Sequence, residues 1–153
     1  MKKILSLIIC VALILSIAAC KPTVEDAGDV TVAVEVSEGN YEVYEIDLEN
    51  VENKDNGALG VLQSLTAREE NPMHLVYSDS TYGAFVTEIG SIKEDAAAGA
   101  YVMVYTSNSA DSYEGAATVR YGETDLYASG VGLSSMSVDA GCVILFRLEV
   151  YSF

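Results

Sequence analysis

Three carboxylates alternate along one stretch of the chain and could hold a cation. Glu45, Asp47 and Glu49 are two residues apart, so in an extended strand they lie on one side, about 6.5 to 7 Å from each other. Carboxylate oxygens are hard ligands that suit Ca²⁺, and a neighbouring loop could complete such a site. A solvated sheet face explains the same pattern without a ligand. Glu45, Asp47 and Glu49 are therefore candidate metal ligands, with that alternative left open.

Tyrosine dominates the aromatic residues of this chain. There are ten tyrosines and no tryptophan. Tyrosine combines a flat apolar ring with a hydroxyl group, which suits recognition surfaces. We expect about half of them to pack within the fold and the rest to face a ligand. The candidates in the second half of the chain are Tyr101, Tyr105, Tyr113, Tyr121 and Tyr127.

Residues that carry out catalysis are scarce. His74 is the only histidine, so a zinc site built from several histidines cannot form. Cys142 opens an apolar run, where a thiol is expected to be an inert part of the core rather than a nucleophile. The sequence contains no phosphate-binding glycine loop with a lysine and no nucleophile elbow. It therefore predicts a protein that is not an enzyme and uses no cofactor.

The beginning of the chain predicts export and lipid attachment. Lys2 and Lys3 precede an uncharged apolar stretch, residues 4–17, and small residues follow up to Cys20. That stretch is shorter than the roughly 20 residues of a membrane-spanning helix, and the order of its parts is typical of a bacterial lipoprotein signal. We expect residues 1–19 to be a signal peptide that is removed. Cys20 then carries a lipid that includes palmitate and holds the protein on the extracytoplasmic face of the cell membrane. Cleavage of the signal peptide without attachment of a lipid is the alternative.

The charge of the chain argues against two kinds of partner, nucleic acids and anionic lipid surfaces. The sequence has 23 acidic and 8 basic residues, a formal net charge of −15. Removal of Lys2 and Lys3 leaves 6 basic residues against 23 acidic ones, or −17. Such a surface repels nucleic acid and anionic lipid headgroups. The lipid on Cys20 must then supply membrane attachment, and the expected partners are cations, basic proteins or neutral ligands.

Two alternating runs predict a β-hairpin at the start of the folded domain. Valines at every second position, from Val30 to Val36, predict a strand over 30–36, and residues 41–48 alternate in the same way. The turn residues 37–40 between the two runs favour an antiparallel pair.

A change of period then predicts one helix. Ala58, Val61, Leu62 and Leu65 recur at helical spacing. Asp55 or Asn56 is expected to cap the first turn, and Pro72 is expected to end the helix.

The remainder of the chain is predicted to form strands. The segments are 74–77, 84–89, 101–106 and 142–151, with an excursion over 107–140 that carries a small hairpin at 117–121 and 125–128. A hairpin, one helix and further strands indicate an α+β domain in which the helix packs on one sheet face. The expected organisation is a lipidated tether over 20–29 and a single domain over 30–153.

Three segments of the second half resemble the transcobalamin C-terminal-like domain, a family of bacterial surface lipoprotein modules. They are Gly83-Ala-Phe-Val-Thr-Glu-Ile, Gly99-Ala-Tyr-Val-Met-Val-Tyr-Thr-Ser and the run from Gly130 to Phe146. The helix around Gly60-Val-Leu-Gln-Ser-Leu fits the same order of elements. The resemblance implies a β-grasp-like mixed sheet packed against a single helix, with the last strand beside the first. In transcobalamin-type carriers, such a domain covers one face of a corrinoid.

These observations predict a lipid-anchored extracytoplasmic binding module without catalysis. Its ligand would be a cobalamin-like small molecule or a protein partner, contacted by the excursion over 107–140 and its tyrosines, since loops on a rigid scaffold carry function. The alternatives are a structural component of a surface assembly and an acidic cation-binding lipoprotein.

Replacement of the predicted lipid attachment site tests the export hypothesis. Cys20→Ser removes the thiol that would carry the lipid, so the variant should lose palmitate label and leave the membrane fraction. Cys142→Ser is the matched control and should keep both. Metabolic labelling with palmitate and cell fractionation provide the measurement. Unlabelled wild-type protein recovered from the cytosol would contradict the prediction.

Overall fold

A computed structural model of the chain describes residues 22–152, which form one α-helix and nine strands. The predicted signal peptide, 1–19, and the predicted lipidation site, Cys20, lie outside the described residues. The strands and the helix are β1 (Asp29–Ser37), β2 (Asn40–Asp47), α1 (Gly57–Thr66), β3 (Leu75–Ser80), β4 (Gly83–Ile89), β5 (Ile92–Lys93), β6 (Ala100–Thr106), β7 (Thr118–Tyr121), β8 (Thr124–Ala128) and β9 (Val143–Val150). Within the described residues, no helix has the length and apolar character needed to cross a membrane.

Six of the strands form one mixed sheet in the order β2-β1-β9-β6-β8-β7. β1 and β9 run parallel, whereas the other neighbours are antiparallel. The last strand therefore lies beside the first, and the α+β class with a single helix is confirmed. The predicted hairpin in the excursion is also confirmed, as β7 and β8. A separate sheet, β3-β4-β5, was not expected from the sequence.

The main core lies between the large sheet and the layer formed by α1 and the small sheet. β1 and β9 contribute alternate residues to it, because every second side chain of a strand faces the same way. The helix contributes the face predicted from its spacing. The principal members are Val30, Val32, Val34, Ala58, Val61, Leu62, Leu65, Ala84, Val86, Ile89, Ile144 and Phe146, all buried.

The ends of the helix differ from the prediction. Asn56 occupies the N-cap position, but its side chain makes no capping bond. The backbone amide of Ala58 instead donates to the carbonyl oxygen of Met136, at 3.1 Å. This loop can approach closely because Gly57, at φ 55°, has no Cβ to collide with that carbonyl group. The helix ends at Thr66, well before Pro72, so the expectation that Pro72 ends it is wrong.

The segment predicted as a tether is largely part of the packed domain. Val24 forms a parallel bridge with Val138. The amide of Val138 donates to the carbonyl of Thr23 at 2.7 Å, and the amide of Glu25 donates to the carbonyl of Val138 at 3.0 Å. The carboxylate of Glu25 also accepts from the amide of Ala140 at 2.8 Å. The packed domain therefore begins near Thr23 rather than at residue 30.

A glycine in the helix provides a test of this packing. Gly60→Ala would normally favour a helix, but here the new Cβ would fall on the carbonyl oxygen of Asn53. We expect a loss of about 1 to 3 kcal/mol in the free energy of unfolding, as for other overpacked sites. Thr66→Ala, at the exposed end of the same helix, is the control and should be nearly neutral. Urea denaturation measures both; a stabilised Gly60→Ala would contradict the packing described.

Candidate functional site

The large sheet curls until its two edges meet. β2 and β7 lie at opposite ends of the strand order, yet the rings of Tyr41 on β2 and Tyr121 on β7 have centroids 5.0 Å apart and cross at 85°. Aromatic rings favour this edge-to-face arrangement. The curl therefore encloses the sheet face that points away from the helix.

A second, smaller core fills the inside of the curl. Its buried members come from β1, β6, β8 and β9, and partly buried residues of β6 and of the two edge strands pack against them. They are Ala33, Tyr105, Leu126, Ala128, Val143 and Leu145, with Tyr41, Met103, Val119 and Tyr121 at the margin. The central strands are therefore covered on both faces, and the curl closes over an apolar interior.

At one end the curl opens into a groove of about 560 Å³, beside the turn between β1 and β2. This volume is within the range of ligand sites in proteins, about 300 to 1,000 Å³. The groove has apolar, aromatic and charged walls. The residues that matter here are Glu35, Tyr41, Val119, Arg120, Leu145 and Arg147.

Arg147 is held in the groove between two carboxylates. Its Nε lies 3.4 Å from Glu35 Oε2 and 3.6 Å from Glu149 Oε1. This Nε is buried and has no hydrogen-bond partner in the described structure. The other carboxylate oxygen of Glu35 accepts from the amide of Gly39 at 3.2 Å. The turn that forms the rim of the groove is thereby linked through Glu35 to Arg147.

Two tyrosine hydroxyls fix the second carboxylate. The hydroxyl of Tyr105 donates to Glu149 Oε1, and the hydroxyl of Tyr151 donates to Oε2 at 2.8 Å. Tyr105 is only 1% exposed. Burial, and then the hydrogen bond to Glu149, raise the pKa of Tyr105 far above its usual value. The pKa of Tyr151 is raised as well, chiefly by its hydrogen bond to Glu149. Both hydroxyls therefore stay protonated and donate.

The structure separates the five predicted tyrosines. Tyr105 and Tyr121 lie inside the curl, and Tyr101 is paired with Glu149 across β6 and β9. Tyr127 is paired with Thr106 and so faces away from the inner core, and Tyr113 is 55% exposed on the excursion. The five do not form one surface.

Sequence reasoning missed three residues that line the groove. Tyr41 belongs to the first hairpin, whereas the expected binding surface was in the second half of the chain. Arg120 and Arg147 were not singled out. Arg147 did carry a signal, because it interrupts the apolar run of the last strand, from Cys142 to Leu148.

The three predicted metal ligands do not converge on one point. Asp47 Oδ1 accepts from the amide of Glu49 at 2.9 Å and thereby caps a short 3₁₀ turn. Glu45 is exposed, and its backbone carbonyl accepts from Arg68. Residues 22–152 contain no group of three or more His, Cys, Asp or Glu side chains placed to hold a metal ion. Cys142 is 5% exposed within the main core, the location predicted for it.

A second groove, of about 490 Å³, lies along the outer edge of β2. Its lining includes Glu42, Tyr44 and His74. Glu42 Oε2 accepts from the amide of Ser91 at 3.2 Å, so this carboxylate already has a backbone partner. This groove lacks an arginine.

Comparison with known proteins shows the fold alone. No family model matches the chain, and no curated protein matches it. Among solved structures, a Ruminococcus gnavus protein described as a "putative metal binding protein" superposes with a TM-score of 0.52 at 14% identity, over 84% of this chain and 100% of that one. Haptocorrin in complex with Cbi superposes with a TM-score of 0.54 at 12% identity, over 82% of this chain. This chain spans only 26% of haptocorrin. The resemblance to the transcobalamin family is thus a distant relationship of fold.

Removal of one hydroxyl tests the network beneath the groove. Tyr105→Phe should cost about 1 kcal/mol near neutral pH, the usual value of a lost hydrogen bond. Above pH 10 the loss of this hydroxyl has a second effect on stability, which favours the folded variant over the folded wild type. Unfolded Tyr105 ionises near 10.0, whereas the folded protein keeps the proton to higher pH. Ionisation therefore favours unfolding above that pH, by up to about 1.4 kcal/mol per pH unit.

The variant lacks this contribution, so its stability should fall less steeply with rising pH. The decline should not vanish, because the pKa values of Tyr41, Tyr44 and Tyr151 are also raised. Tyr82→Phe is the control, since Tyr82 is 78% exposed. Urea denaturation at about pH 9 and about pH 11, on either side of the ordinary tyrosine pKa, supplies the comparison. If the free energy of unfolding falls equally with pH in wild type and Tyr105→Phe, the Tyr105 hydroxyl is not a buried hydrogen-bond donor.

Proposed function

We propose that this chain is a non-catalytic binding module that takes a small molecule in the groove at the end of the curled sheet. A lipid on Cys20 would hold the module on the extracytoplasmic face of the cell membrane. One observation carries the proposal: the groove places two arginines, an aromatic ring and apolar side chains around one opening of ligand size. Ligand sites characteristically combine apolar walls with a few placed polar groups, and the mouths of β-barrels are one place where they occur.

The order of the groove supports the proposal. Leu145 on its floor belongs to the inner core and is 1% exposed. Arg147 is held by Glu35 and Glu149, and the rim is bound through Gly39. A site whose groups are already in position loses less conformational freedom when the ligand binds. This arrangement favours a preformed site over one that must fold around its ligand.

A corrinoid is one candidate ligand, because haptocorrin was solved with Cbi. The present chain corresponds to only a quarter of haptocorrin, and the identity is 12%. Corrinoids therefore belong in a panel of candidate ligands and have no priority over other small molecules.

An exposed apolar patch at the β3–β4 turn, on β4 and on a neighbouring loop favours a second candidate function, contact with another protein. Tyr82 is 78% exposed, Phe85 48% and Val131 38%. Tyr82 and Val131 are neighbours, since the amide of Gly132 donates to the carbonyl of Tyr82. Exposed apolar patches mark protein interaction sites when they are large and contiguous.

Binding mapped by NMR distinguishes these candidates. The full chain, labelled with ¹⁵N and kept in mild detergent, is titrated with a panel of neutral, anionic and cationic small molecules and one corrinoid. We expect amide shifts at Gly39, Tyr41 and Arg120, and none at Gly90 and Ser91 beside the second groove. Shifts at Phe85 and Val131 alone would favour the second candidate. A panel that shifts no residue of the first groove would refute the proposed site.

One pair of variants adds a quantitative test. Tyr41→Ala removes the aromatic wall of the first groove and should weaken a panel hit about tenfold, the equivalent of about 1.4 kcal/mol. Tyr44→Ala lies on the same strand but lines the second groove, so it should leave the affinity unchanged. Equal losses in both variants would indicate a general loss of structure instead of a contact.

A further inference from the structure

The cations of this chain are distributed unevenly. Among the described residues, three of them place the charged end of the side chain on a protein oxygen. Lys54 Nζ contacts Asp26, Lys93 Nζ lies 2.7 Å from Glu88 Oε1, and Arg68 Nη2 donates to the carbonyl of Glu45. The remaining two, Arg120 and Arg147, contact carboxylates through Nε, and both line the groove at the end of the curl. Two of the three arginines in the chain therefore line one opening.

The guanidinium group of Arg147 is only partly used by the protein. Its Nε is buried beside Glu35 and Glu149. No hydrogen bond within residues 22–152 engages its two Nη groups, although the side chain is 35% exposed and lines the groove. The carboxylates therefore fix the inner edge of the guanidinium and leave its outer donors unpaired. A planar guanidinium presents such donors in a fork that matches the two oxygens of a carboxylate.

Arg120 lies on the edge strand β7, between Val119 and Tyr121, which pack on the inner core. Its side chain therefore leaves from the outer face of this strand, and Arg120 lines the groove at its rim. Its Nε lies 3.4 Å from Asp125 Oδ1 on the same hairpin, and its side chain is 68% exposed. No hydrogen bond to another described residue engages its Nη groups. Arg120 on β7 and Arg147 on β9 thus offer unpaired cationic donors to one groove. Between them the walls are apolar or aromatic, from Val119, Leu145 and Tyr41.

We infer that the ligand of this groove is a small organic anion, with a carboxylate head bound by Arg147 and Arg120 and an apolar body lying on Tyr41, Val119 and Leu145. This inference rests on the proposed function and specifies its ligand class. It departs from the sequence-based expectation of cations, basic proteins or neutral ligands, which followed from net charge. Net charge acts over long distances and is screened within about 8 to 10 Å at physiological salt, whereas the groove acts at contact distance.

The overall charge still limits the class of ligand. The chain carries a net charge of −15, and Glu35 and Glu38 also line the groove. A ligand with several negative charges would be repelled on approach and again at the rim. A single carboxylate on an apolar body can pair with the outer donors of Arg147 while keeping this repulsion small. The site therefore fits a monoanionic amphiphile and disfavours polyanions.

A matched pair of probes measures how much the negative charge of the carboxylate contributes to binding. 4-Phenylbutyrate and its neutral amide, 4-phenylbutyramide, have the same apolar body and differ in the charge of the head. Each is titrated into the ¹⁵N-labelled full chain in mild detergent, and amide shifts around the groove give the affinity. We expect the carboxylate to bind at least about tenfold more tightly than the amide, as for a charge-assisted hydrogen bond. Added salt should leave the binding of the neutral amide unaffected.

Charge-removing variants locate the effect. Arg120→Gln and Arg147→Gln should each abolish most of the preference for the carboxylate while the amide still binds. Retained amide binding shows that the groove of the variant is folded, and the exposed position of Arg120 makes that variant the safer of the two. Lys93→Gln removes one positive charge outside the groove and should leave the preference intact.

The outcomes separate this inference from the proposed function. Equal affinities of the two probes at the groove would overturn the anionic ligand and leave the binding site standing. A preference that survives both arginine variants, or that is lost equally in Lys93→Gln, would overturn the assignment to Arg120 and Arg147. Failure of both probes to shift the groove would overturn the inference, whereas the proposed function itself fails only if the wider panel also gives no shift there.

Discussion

The parallel pairing of β1 with β9 is the constraint on which the rest of the structure depends. These strands lie at the centre of the large sheet, and both of their faces are buried. Val32 opposite Ile144 faces the helix, whereas Ala33 opposite Leu145 faces the inside of the curl. The same register places Glu35 opposite Arg147. Since a slip by one residue moves every side chain to the other face, the register that packs both cores also sets the ion pair of the groove.

The polar groups of the groove form a connected series that begins inside the protein. Tyr105 holds Glu149, Glu149 and Glu35 lie on either side of Arg147, and Glu35 binds the backbone at Gly39. Each member limits the freedom of the next, so a buried hydroxyl indirectly positions a half-buried guanidinium. Tyrosine suits this use because its ring fills the inner core while its hydroxyl reaches a charged partner. The abundance of tyrosine in the sequence thus has a structural role as well as any role in recognition.

The sequence predicted local features better than distant ones. Alternation located β1, β2, β6 and β9, and helical spacing identified the buried face of α1, because both patterns repeat over neighbouring residues. The cap of the helix was missed, since its partner is the carbonyl of Met136, far along the chain. The packing of Val24 on Val138 was missed for the same reason. The groove depends on the curl that brings Tyr41 to Tyr121, and no spacing within one strand encodes that contact.

The packing of the amino-terminal segment determines the end of the domain at which a lipid would be attached. Pro22 lies against Gly57 at the start of the helix, and two residue steps back to Cys20 reach at most about 7 Å. A lipid at Cys20 would therefore keep this end of the protein near the bilayer. β1 then runs for nine residues, roughly 30 Å, before the turn where the groove opens. With a lipid at Cys20, the length of β1 would separate the groove from the attached end of the chain.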